Sequence, residues 1–205
     1  MAGKTAPKNA NVLYKGREEN PVVFLEVTAQ GGLLLPSGAV TEPKVLGRLY
    51  FELRNDITPV SCANFLGLIS NIKGYGRDGT PYRYKGTRIH RVVRDVLFQA
   101  GDLLGENGRC SRSIYEGGYF RDENFILRHT GPGVLSMCNT GPDTNGSLFQ
   151  VTFTQNQDMD ERYVVLGCLA ADESFETLRL INTYGTAHGE PLEELVFTDC
   201  AVVYP

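Results

Sequence analysis

At 205 residues, with 41% hydrophobic and 21% charged residues, the chain fits one globular domain with a substantial core. Its formal charge of −4 argues against a general nucleic-acid or anionic-membrane binder, and no apolar run approaches the ~20 residues of a membrane span. Five cysteines without C-x-x-C spacing read as reduced and partly buried, and the polar N-terminus lacks a secretory signal's apolar core, so the expected compartment is cytoplasmic.

Residues 1–20 carry Lys, Asn, Glu and Gly with little periodicity and read as an exposed N-terminal extension, at most a docking arm, ahead of one domain over 21–205. Val22–Val27 is a strand. Thr28–Lys44, with three glycines and two prolines, is a long loop whose Leu33–Leu35 run is expected to cover the protein's body or else meet a partner. Leu46–Leu53 alternates as a strand. Thr58-Pro59 marks a helix start, a capping hydroxyl before proline, and Cys62, Phe65, Leu66 and Ile69 make its apolar stripe through about Ser70. The GYGRDG run at 74–79 matches G-x-G-x-x-G, but no strand precedes it and no helix follows to hold a pyrophosphate.

Strands are expected at Thr87–Val93 and Val96–Ala100 about a turn at Arg94-Asp95, then at Gly133–Met137, Ser147–Phe153 and Tyr163–Leu169. Asp172–Tyr184 reads as a helix facing Phe175, Leu178 and Ile181 inward and stopping at Gly185, and Leu195–Val203 closes the set. About eight short strands, two helices and many Gly/Pro turns suggest a mainly β fold, a closed β-barrel. His90, His129 and His188 have neither metal-ligand spacing nor a partner suggesting a triad, and no metal or other cofactor is expected. The Asn145-Gly146-Ser147 sequon is expected to be idle.

Three stretches carry more. His129–Gln150, HTGPGVLSMCNTGPDTNGSLFQ, packs turn residues densely enough to specify one loop shape beside a groove. It resembles the cyclophilin family of peptidyl-prolyl isomerases, whose strand and loop read close to HTGPGxLSMANxGPxTNGSQFF. His90–Asp102 (HRVVRDVLFQAGD) is similar to that family's HRxxxxFMxQGGD, and Ser113–Phe125 (SIYEGGYFRDENF) to its SIYGxxFxDENF. The likeness runs in family order from about Val22 to about Val203. It implies an eight-stranded antiparallel barrel capped at each end by a helix, with insertions near 28–44 and 74–85.

The resemblance also implies a chemistry. Rotation about an amide is opposed by resonance, a barrier of roughly 18–20 kcal/mol, and in the twisted state the proline nitrogen gains a lone pair. A fixed cation donating a hydrogen bond to it binds the transition state better than the ground state. Arginine suits this because it stays charged and holds its donors in a planar fork. Position by position, Arg91 matches the family's catalytic arginine, Gln99 the glutamine orienting it and the substrate, and Asn139 the asparagine whose backbone holds the substrate chain. His90 matches a neighbouring, mainly structural histidine.

The proline pocket departs from the pattern. Val96 and Leu97 replace a Phe-Met pair, Leu148 a glutamine, Gln150 a second Phe, Met159 a Leu and Tyr163 a His, while Asp158 stands for a common Trp. Cys138 and Thr140 flank Asn139, and Phe149 keeps the family's residue. Losing the aromatic at 150 forfeits burial worth roughly 1.5–3 kcal/mol. Two readings therefore stay open. One is a weakened isomerase acting on X-Pro bonds in proline-containing peptides or proteins, with weak or no cyclosporin binding. The other is a non-catalytic scaffold or binding module. A monomer is expected, and a protein partner through the N-terminal arm or the inserted loops remains open.

Overall fold

The computed structural model describes residues 20–204, so the expected N-terminal extension lies outside the described residues except for Asn20. Asn20 already belongs to the barrel: it is buried, and its amide donates to Glu52 Oε1 at 3.1 Å. The elements are β1 (Val22–Ala29), β2 (Lys44–Leu53), α1 (Pro59–Ile69), β3 (Arg88–Val93), β4 (Leu97–Ala100), β5 (Val134–Met137), β6 (Phe149–Thr152), β7 (Val165–Leu169), α2 (Asp172–Thr183) and β8 (Leu195–Tyr204). The strands close into an antiparallel barrel in the order β1-β2-β7-β5-β6-β4-β3-β8. Closure leaves no unpaired edge in this sheet among the described residues.

Strict alternation fills the interior. Val23, Leu25 and Val27 of β1 and Leu49, Phe51 and Leu53 of β2 are fully buried, with Val23 facing Phe51 and Leu25 facing Leu49 across the ladder. Phe98 and Ala100 from β4, Leu135 and Met137 from β5, and Phe149 and Val151 from β6 join the same core.

Helix α1 begins at Pro59 as the sequence predicts, but the Thr58 hydroxyl does not cap it; it turns back to the carbonyls of Arg54 and Val165. Capping comes instead from Glu123, far along the chain. Its carboxylate accepts from Val60 N and Ser61 N, both at 2.9 Å, and from Ser61 Oγ at 2.8 Å. Anionic oxygens suit a helix N-terminus, where free N–H groups and the macrodipole carry positive charge. The core stripe runs through Cys62, Phe65, Leu68 and Ile69, Leu66 being only half-buried. On α2 the buried face is Ser174, Thr177, Leu178 and Ile181, with Phe175 at its margin. Ser174 Oγ accepts from Tyr50 N at 2.9 Å, seating α2 on β2.

The loop after β1 is shorter than the expected Thr28–Lys44. Thr28, Ala29 and Lys44 lie in strands, leaving a loop over 30–43 in which Leu34 bridges Val40. Leu34 is 70% and Leu35 37% exposed, with Leu33 half-buried, so most of the apolar run faces away from the barrel, as does Val40. The 74–85 segment makes a small turn, with Gly76 N donating to Thr80 O, and then dives inward. Tyr84 is fully buried edge-on against Phe149, and its hydroxyl donates to Ser147 O at 2.8 Å.

Candidate active site

The barrel's register sets one row of side chains on its outer face. Arg91 of β3 pairs with Gln99 of β4, Gln99 with Gln150 of β6, and Gln150 with Ser136 of β5. Successive strand residues point to opposite faces, and Phe98, Phe149 and Leu135 beside these positions sit in the core. The row is therefore what remains outside: Arg91 exposed, Gln99 partly so, Gln150 only 1% exposed.

Arg91 Nη1 donates to Gln99 Oε1 at 3.4 Å, and Gln99 Nε2 donates to Gln150 Oε1 at 3.1 Å. Gln99 Nε2 also lies 3.4 Å from Cys138 Sγ, next to Asn139. These contacts bring β3, β4 and the 138–148 loop together. Among the described residues Arg91 has no carboxylate partner, so its charge is not spent on an ion pair. The Asn139 amide donates to Arg162 O at 3.1 Å, which fixes its side chain and leaves its backbone N–H and C=O without a protein partner among the described residues.

Past Asn139 the surface opens into a hollow of about 330 Å³ bordered by Asn139, Thr140, Asp122, Arg162 and Tyr163. Tyr163 and Met159 are joined through Tyr163 N to Met159 O at 3.3 Å, with Met159 buried and Tyr163 half-buried. Leu148 is buried, its carbonyl accepting from Cys138 N. Leu97 shares the Gln99 face of β4, and half-buried Val96 sits at the preceding turn. Thr140 is exposed and tied to Thr144.

Two expected residues lie elsewhere. Phe149 packs against Phe65, Tyr84 and Phe197 inside the barrel, on the opposite face of β6 from Gln150, so it offers no wall to a substrate. His90 turns toward the 101–110 loop, so close to Gly108 that a Cβ there would lie 2.7 Å from Nε2. Burial lowers the His90 pKa, with Asp102 opposing, which keeps the ring neutral.

Other contributors carry no sequence signal. Gly189, at φ +95°, lies under the Arg91 side chain: a Cβ there would sit 2.8 Å from both Cγ and Nε of Arg91. Against the sequence expectation for the histidines, His129 does have triad-like partners. Its Nδ1 lies 2.9 Å from Asp160 Oδ1 and its Nε2 3.0 Å from Ser136 Oγ. The carboxylate only accepts, so Nδ1 carries the proton and Nε2 accepts from the serine hydroxyl. Ser136 is fully buried, which bars it as a nucleophile; the chain of three braces the back of the row. Asn145 is also fully buried and donates to Phe120 O and Asp122 Oδ1, so the sequon offers no acceptor amide.

The family model for cyclophilin type peptidyl-prolyl cis-trans isomerase/CLD matches residues 39–202. The chain belongs to the cyclophilins. Among the described residues, the match takes in β2 to β7 of this cyclophilin and β8 as far as residue 202, together with Arg91, Gln99 and Asn139. β1 falls before it, yet pairs with β2 and β8 to close the barrel.

Proposed function

We propose that the protein is an active peptidyl-prolyl cis-trans isomerase on X-Pro bonds in proteins, with Arg91 as the donor to the pyramidalising proline nitrogen. The observation that carries this is the Arg91–Gln99 hydrogen bond beside the open Asn139 backbone. An exposed guanidinium without a carboxylate partner keeps its full charge for a lone pair that exists only in the twisted state. Asn139 supplies a strand-like edge for the peptide main chain, and Gln99 keeps the guanidinium aimed. Rotation about the amide then needs no proton transfer and no cofactor.

Activity is weakened relative to an aromatic-walled pocket, because Gln150 and Val96 offer the proline ring less apolar surface. The same loss makes cyclosporin binding weak, and nanomolar affinity by calorimetry would contradict it. Free cysteines, three buried and two half-buried, with the Cys62 thiol pushed up to about 12 by burial, suit a monomer in the reducing cytosol. The test of activity is NMR exchange spectroscopy on short Ala-Pro peptides: wild type broadens the cis and trans signals, and Arg91→Ala abolishes the broadening. No exchange at high enzyme concentration refutes the isomerase.

The second reading, a binding module, has its own support in the 30–43 loop. Its backbone is held as a small hairpin by Gly32 N to Thr41 O and Thr41 N to Leu33 O, while Leu34 and Val40 face solvent. Exposed apolar side chains on an ordered loop suit a protein contact. Removing residues 30–43 should leave the barrel folded and strip a partner from a pull-down. An unchanged set of bound proteins defeats this reading.

A further inference from the structure

We propose that Gln150 and Cys138, two departures from the family pattern, lock the side-chain amide of Gln99, making it a positioning residue for Arg91 instead of a donor to substrate. The proposal rests on the isomerase reading for its kinetic arm only.

The argument begins at a backbone carbonyl. Met137 O can only accept, and Gln150 Nε2 donates to it at 3.3 Å. That fixes the Gln150 amide, so its Oε1 must face Gln99 and accept from Gln99 Nε2 at 3.1 Å. The Gln99 amide is thereby fixed too, its Oε1 facing Arg91, which can only donate. Every bond along Met137, Gln150, Gln99 and Arg91 runs in one direction. Flipping either amide would set carbonyl against carbonyl or donor against guanidinium.

An amide nitrogen has two hydrogens. One goes to Gln150, and Cys138 Sγ lies 3.4 Å from the same nitrogen to take the other. Burial holds the Cys138 thiol neutral, with a pKa of about 11, so the contact is a weak one and the more easily broken. A phenylalanine at 150 or an alanine at 138 could accept neither hydrogen. Gln150, 1% exposed with both amide atoms bonded, is thus no ragged wall of the pocket but the anchor of the catalytic pair.

Two variants test this in the full chain. Gln150→Met keeps the length and removes the relay; kcat is expected to fall about fivefold with KM within about twofold, the size of one lost hydrogen bond. Cys138→Ala frees one Gln99 hydrogen for the substrate carbonyl; KM should fall about threefold with kcat unchanged. Independently of turnover, the Gln99 side-chain amide signals in 15N-edited NMR should exchange slowly with water in wild type and faster in both variants. Unchanged amide exchange overturns the proposal, as does a Gln150→Met effect confined to KM. If wild type isomerises nothing, the isomerase reading falls, and the amide signals alone support or overturn the lock.

Discussion

Gly189→Ala separates the placing of Arg91 from its presence. The added Cβ would lie 2.8 Å from Arg91 Cγ and Nε, closer than such atoms approach one another, and 3.2 Å from Val93 Cγ2, a tight contact. Arg91 is exposed on its other side and has room to swing away, so the clash is relieved by moving the guanidinium. The backbone at φ +95° adds strain of roughly 1–2 kcal/mol for an alanine. For a domain of this size that lowers Tm by about 2–8 °C. A donor displaced by about 1 Å costs up to about 100-fold in rate, while deleting the charged hydrogen bond costs about 10- to 150-fold. The two substitutions should therefore be strongly non-additive. Thermal melts give the stability, and exchange spectroscopy gives kcat/KM for Gly189→Ala, Arg91→Ala and the double variant. Gly189→Ala with a lowered Tm but an unchanged kcat/KM would refute the platform, and additive losses in the double variant would do the same.

Glu123→Ala should remove the distant cap of α1 and lower stability by about 2 kcal/mol, or about 4–8 °C in Tm; a melt within a degree of wild type would show that solvent caps the helix as well. Stability should also fall as the solution is acidified below the ordinary histidine value of 6.5. Burial lowers the pKa of both His129 and His90, so between the ordinary and the lowered values the unfolded chain binds more protons than the folded one, and stability rises with pH across that window. Urea unfolding at about pH 7.5 and about pH 5.5 measures this, and a midpoint that stays level or climbs on acidification would contradict it.

Much of the barrel was legible because period-two alternation survives in short strands such as LYFEL, and Pro59 marked its helix unambiguously. Where reading failed, distant partners had intervened. Thr58 has the right chemistry for a cap, but Glu123, brought in by the DENF segment, occupies the helix end. The sequence of the 74–85 segment did not show that Tyr84 is buried, because its burial depends on Phe65 and Phe149. The site was legible only through resemblance, since no local pattern makes residues 91, 99 and 139 neighbours. Strand parity separates Phe149 from Gln150, and it could have been applied from the sequence. Gly189 gave no signal, because a loop glycine looks the same whether or not a side chain rests on it. Gln150 was read as a lost wall, whereas both its amide atoms are bonded, to two neighbours whose approach depends on the barrel's closure.

The burial of Tyr84 bears on how the 74–85 segment can be re-engineered. Its outer bend, from Gly74 to Pro81, is a stalk with Tyr75 64% exposed at its side, its neck fixed by the Tyr75–Pro81 bridge together with Gly76 N to Thr80 O and Tyr82 N to Gly74 O, and with Thr80 turned inward and buried. Three residues after Pro81 the same segment becomes a bolt into the core, the Tyr84 hydroxyl fastened to the carbonyl of Ser147. A graft that respects Tyr82 and Tyr84 exchanges a handle, and one that crosses them rebuilds the interior.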